Sequence, residues 1–134
     1  MLNTYVVEGG VGKCTAFSAL IPKLKEKSEV QIYTPYIGCF ASNPDVKLVL
    51  EQTLPLTDPR IMASNNIFYS EPYKSNFQFG KQHIIESYCE HHGVEYDKSM
   101  TGKLYTDNHK VAVTKWLADN EIGKYIMIQF SGGQ

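Results

Sequence analysis

The residue types best suited to chemistry stand together: Glu8-Gly9-Gly10-Val11-Gly12-Lys13-Cys14-Thr15, directly after the apolar run Tyr5-Val6-Val7. A strand that ends in glycines and turns into a helix gathers free backbone N–H groups and the positive end of the helix dipole at one point. Such a point attracts anions. Glu8 adds a carboxylate able to act as a general base when it lies within hydrogen-bond reach of a hydroxyl. Lys13 adds a cation that can bind a phosphate or offset the charge of a leaving diphosphate. The plainer alternative is a surface ion pair between Glu8 and Lys13, worth under ~1 kcal/mol.

The elements that must position these groups follow from periodicity. Tyr5-Val6-Val7 is a β-rich run, and Phe17, Leu20, Ile21 and Leu24 fall at i, i+3, i+4 and i+7, one helical face. Pro22 bends that helix, because it lacks an N–H. Val30 to Thr34 alternates as a second strand closed by Pro35, Tyr36 to Ala41 is a short helix, and Lys47 to Leu50 is a third strand. The stretch from Glu51 to Asn66, with Pro55 and Pro59, reads as an ordered loop with one helical turn. Ile67-Phe68-Tyr69 is the fourth strand, and the aromatic segment Ser70 to Gly80 is irregular, its rings pinning the loop to the core or lining a site. Gln82 to His92 is a helix with Gly93 as its C-cap. Lys103 to Tyr105 is extended, and Thr106-Asp107 caps a last helix whose Trp116 is expected to anchor in the core. Strands alternating with helices predict an α/β, Rossmann-like three-layer domain with a mainly parallel sheet over residues 1–122.

Tyr125 to Phe130 is the most strand-like run and leads into Ser131-Gly132-Gly133-Gln134. Residues 123–134 therefore read as the last strand and glycine turn of this sheet, or as the opening of a second α/β unit.

Composition narrows the partners. The 134 residues carry 13 basic and 14 acidic side chains, scattered rather than gathered on one face. That argues against a nucleic-acid or anionic-membrane surface. No apolar run approaches the ~20 residues of a membrane span, and Met1-Leu2-Asn3-Thr4 lacks a charged segment followed by a long apolar one, so a cytoplasmic location is expected. Cys14, Cys39 and Cys89 are odd in number and widely spaced, as reduced thiols are. Cys89-Glu90-His91-His92 has no second pair at zinc-like spacing and is expected to hold no metal.

Two phosphate chemistries compete for the glycine turn. A phosphate loop of the G-x-x-x-x-G-K-[ST] type needs a first glycine, a lysine and an adjacent hydroxyl. Val7 and Cys14 stand at the first and last of those positions, and Thr15 comes one residue late. The segment also resembles the deviant loop of the partition ATPases, with Glu8 where they carry a signature lysine. The alternative accounts for more residues. Val6 to Lys13, the helix containing Ala19 to Lys25, the strand Val30 to Thr34 and Phe40-Ala41-Ser42-Asn43-Pro44-Asp45-Val46 together resemble the N-terminal half of the heptosyltransferase-like family nine glycosyltransferases. His83 to Tyr88 resembles that family's helix before its inter-domain crossing, and Tyr125 to Gly133 the first strand and glycine turn of its donor domain.

The resemblance implies one half of a GT-B fold, the half that holds a sugar or glycan acceptor, with a nucleotide-sugar as donor substrate and no other cofactor. A homo-oligomer or a further C-terminal domain would complete the cleft. It implies Glu8 and Lys13 as catalytic candidates, with Gly9, Gly10, Gly12, Thr15, Gly132 and Gly133 around the ligand. The family's acid after the first turn is Lys13 here, so the base role passes to Glu8. The same fold without transfer, a binding or structural module, stays open beside the degenerate phosphate-loop ATPase.

Overall fold

The computed structural model describes residues 1–73, 75–105 and 107–126. In chain order its elements are β1 (Leu2–Val7), α1 (Val11–Ser18), α2 (Ile21–Lys25), β2 (Glu29–Thr34), a 3₁₀ turn (Ile37–Cys39), β3 (Val46–Glu51), α3 (Pro59–Met62), β4 (Asn66–Ser70), α4 (Ser75–Gln78), α5 (Ile84–His92) and α6 (Asp107–Asp119). The four strands form one sheet in the order β3-β2-β1-β4. Every pairing is parallel, with Tyr5 of β1 opposite both Ile32 of β2 and Phe68 of β4. This is the expected α/β, Rossmann-like three-layer domain, and the order matches the first four strands of the doubly wound arrangement.

Two apolar clusters cover the two faces. On one, Phe17, Leu20, Ile21 and Leu24 pack with Tyr5, Val7, Ile32, Phe40, Ile85 and Tyr88. On the other, Val6, Tyr33 and Leu50 pack with Ile61 of α3. Right-handed crossovers explain the split. The chain steps from β1 to β2 to β3 with its connections on one face, then returns past β1 to β4 with α3 on the opposite face.

The predicted first helix is cut in two. Pro22 has no N–H to offer Ser18 and its ring would press on that carbonyl, so α1 stops at Ser18 and α2 restarts with Pro22 in its first turn. The apolar stripe survives the break, with Phe17, Leu20 and Ile21 fully buried. Polar positions within the sheet are satisfied locally: the Gln31 amide donates to Thr4 Oγ1 at 2.9 Å and to the Arg60 carbonyl at 3.0 Å. At the end of α5, Gly93 adopts φ 63°, the left-handed cap expected of it.

Two expectations change. Trp116 is 58% exposed, as are Val111 and Val113 of the same helix at 80% and 48%, so α6 turns its apolar residues outward and Trp116 is no core anchor. Lys103 to Tyr105, read as a short extended piece, belongs to no helix or strand of the fold. This segment is a strap across α1, where the Lys103 amide donates to Ser18 Oγ at 2.8 Å and Gly102 lies against the Thr15 backbone. Of the strand expected over Tyr125 to Phe130, Tyr125 and Ile126 lie outside the sheet and are exposed. The rest of that strand, together with Gly132 and Gly133, lies outside the described residues. Among the described residues no helix is long and apolar enough to cross a membrane.

Candidate functional site

In open α/β sheets ligands bind beyond the carboxyl ends of the strands, where the strand order reverses. Here that point lies between β1 and β4, since β1 leads outward to β2 and β4 returns on the other side. A crevice of about 150 Å³ opens there, lined by Val6, Glu8, Gly9, Lys13, Tyr69, Ser70 and Glu71. The structure thus brings Glu8, Gly9 and Lys13 together and adds Tyr69 and Ser70 at the end of β4 and Glu71 just after it.

The glycine turn is tight. Only Glu8, Gly9 and Gly10 separate β1 from α1, and Gly9 and Gly10 take φ 89° and 102°. Side chains rarely adopt such angles, which is why glycine stands at both positions. The helix begins at once after Gly10, which offers no side-chain cap, and no acidic residue occupies the first turn. The first N–H groups of a helix have no partner within it, and here no side chain caps them. Gly12 lies exposed in this turn. Thr15 sits farther down, its hydroxyl donating to the Val11 carbonyl at 2.8 Å.

Glu8 and Lys13 take different partners. The exposed Glu8 carboxylate accepts a short hydrogen bond from the Gln52 amide, which fixes one of its oxygens. Lys13 folds back along Gly9 and sets its Nζ 3.6 Å from the ring centroid of Tyr73, a cation–π contact. The surface ion pair is thereby replaced by two separate partners. Gly9 is needed for this path as well as for its φ, because a Cβ there would stand 2.6 Å from Lys13 Cδ and Nζ.

The β4 side of the crevice is held by α5. Glu71 Oε1 accepts from the Tyr73 amide at 2.9 Å, and Ser87 Oγ donates to the Pro72 carbonyl at 2.6 Å, which fixes the rim loop. His92 Nε2 lies 3.0 Å from Ser70 Oγ, while His91 Nε2 meets the Tyr69 carbonyl at 2.6 Å. Burial among Tyr5, Phe17 and Phe68, then the neighbouring His91, push the His92 pKa down to about 4, so its ring is neutral at pH 7. Both histidines are thus tied to the end of β4. Among the described residues no group of three or more His, Cys, Asp or Glu side chains is placed to hold a metal ion.

Behind the turn, burial raises the Cys14 thiol to about 11, against a hydrogen bond with Thr34 that lowers it. Cys14, at the position where a phosphate loop carries its hydroxyl, is thus a neutral core thiol facing the sheet. Sequence reading did not single out Gln52, Ser70 and Glu71. The available signal was their place at or just past the carboxyl end of a strand, since residues at that edge of a parallel sheet converge whatever their spacing in the chain.

Comparison with protein-family models, with curated proteins and with solved structures finds no match to this chain.

Proposed function

We propose that this domain is the acceptor-binding half of a glycosyltransferase and that the β1–β4 crevice holds a sugar hydroxyl. The observation that carries the reading is the pairing of carboxylates with exposed rings at the reversal point. Glu8 and Glu71 line one crevice with Tyr69, which is 59% exposed, and Tyr73 at its rim is 47% exposed. Each carboxylate offers about four lone-pair sites for hydrogen bonds from hydroxyls, and an exposed ring offers an apolar face to the C–H side of a sugar.

In this reading Glu8 takes the proton of the acceptor hydroxyl as its oxygen forms a bond to the donor's anomeric carbon. The bond from that carbon to the diphosphate breaks, and the electron pair leaves with the diphosphate. The Gln52 amide keeps Glu8 oriented. Lys13 and the uncapped start of α1 favour the departing negative charge. The nucleotide-sugar would be held by the facing half of such a cleft, so acceptor binding is the part of this reading that the crevice itself supports.

The test is an NMR titration of the chain with methyl glucoside, maltose and lactose, and separately with inorganic pyrophosphate. Shifts at Glu8, Gly9, Ser70 and Glu71 with a saccharide, weakened about tenfold in Glu8→Gln, are the expected result. Saccharide-independent binding of pyrophosphate at Val11, Gly12 and Lys13 would favour the second reading, an anion site of the phosphate-loop kind, for which the uncapped helix start is the specific observation. No shift with any of them would remove both.

A further inference from the structure

Helix α5 presents two polar aromatic side chains one turn apart, Tyr88 and His92, and both stand edge-on to Phe17 with ring centroids 5.6 Å away. Packing alone would be served as well by phenylalanine at either place. His92 has a use for its nitrogen, the hydroxyl of Ser70 at the crevice. Tyr88 is fully buried, and its hydroxyl has no hydrogen-bond partner among the described residues. A buried hydroxyl left unpaired forfeits its hydration with nothing in return, and native proteins keep few of them.

Tyr88 is not among the side chains that line the crevice, but it stands close behind its rim. Its neighbour Ser87 is bonded to the carbonyl of Pro72, so this turn of α5 lies directly behind the loop that forms the crevice rim. Glu71 and Tyr73 of that loop, and Cys14 in the first half of α1, are the groups whose charges act on the Tyr88 phenol. Burial, the largest influence, holds the phenol protonated, which makes it a hydrogen-bond donor.

We propose that Tyr88 is the inner hydrogen-bond donor of the ligand site, its O–H directed to an oxygen of a polyhydroxylated ligand lodged between the start of α1 and the Glu71–Tyr73 loop. The proposal rests on the crevice being a ligand site and adds a recognition group that the open crevice does not display. It also gives a use to a tyrosine whose hydroxyl is unpaired among the described residues.

The substitution Tyr88→Phe is a clean probe, because it removes a group that holds no partner among the described residues. Thermal unfolding and NMR titration with methyl glucoside, maltose and lactose are compared for the wild-type and Tyr88→Phe chains. The expected result is an unfolding temperature that is unchanged or raised, with affinity for the bound saccharide about tenfold weaker. Equal affinities in the two proteins overturn the role of Tyr88 and leave the crevice reading standing. A lower unfolding temperature overturns it too, since the hydroxyl would then have a structural partner. Failure of the wild-type chain to bind any of the saccharides overturns the crevice reading and this assignment together.

Discussion

Lys13 rests on Tyr73: its Nζ lies 3.6 Å from the ring centroid, and this contact bridges the first turn of α1 to the loop after β4. The two walls of the crevice are joined by a cation and a ring, with Glu8 left to Gln52. An exposed pair of this kind contributes about 0.5–1 kcal/mol. Tyr73→Ala should lower stability by that amount, and Tyr73→Phe should keep it. Gly9→Ala should break the same contact from the other side, at a further cost of about 1 kcal/mol for the strained φ. In both the Tyr73→Ala and the Gly9→Ala chains, acetylation of Lys13 followed by mass spectrometry should be faster than in the parent.

The strap over α1 depends on one glycine. A Cβ at Gly102 would stand 2.1 Å from the Thr15 carbonyl oxygen, and because that neighbour is backbone it cannot swing aside. Gly102→Ala should therefore destabilise by about 2 kcal/mol, in the range of overpacking. It should also speed hydrogen exchange at the Lys103 amide, whose bond to Ser18 Oγ the strap maintains. Slow exchange in the variant would show that the strap is held elsewhere.

His92 gives stability a definite dependence on pH. Its pKa is about 4 in the folded chain against 6.5 for the free group, lowered first by burial and then by His91. The unfolded chain binds the extra proton first as pH falls, so stability is full above about pH 6.5 and declines toward pH 4. The loss across that window should be of order 2 kcal/mol, after discounting the full displacement for water reaching a half-buried ring. Urea denaturation at a series of pH values reads this directly. His92→Gln should flatten the decline, and an unchanged slope in that variant would assign it to other groups.

Trp116 should report a wet environment. It is the single tryptophan of the chain, and its side chain is 58% exposed on α6. Its fluorescence should be quenched by acrylamide nearly as well as that of the unfolded protein. Protection from quenching would mean that α6 is covered in solution, by another copy or by the remaining chain.

How much was legible in advance differs by element. Strands β1 to β4, the buried stripe Phe17, Leu20, Ile21 and Leu24, and the Gly93 cap follow from period and cap chemistry, which act within a few residues. Pro22 announced a disturbance but not its outcome, because whether a helix bends or stops depends on the sheet it must cover. Trp116 was misread for a related reason. Hydrophobicity says that a side chain gains by burial, yet nothing within α6 says whether a surface is there to receive it. Of the crevice lining, Glu8, Gly9 and Lys13 had been singled out from type and spacing, whereas Ser70 and Glu71 had not. Their meeting is a consequence of sheet order.

The sequence by itself determined the tight glycine turn, the uncapped helix start after it and the alternation that makes the domain α/β, since each rests on local backbone preferences. Only the tertiary structure decided what faces that turn. Parallel pairing in the order β3-β2-β1-β4 sets the end of β4 beside the end of β1, and α5 behind both. Glu8 and Glu71, far apart in the chain, come to line one crevice because long-range strand pairing, which no short window encodes, places them there.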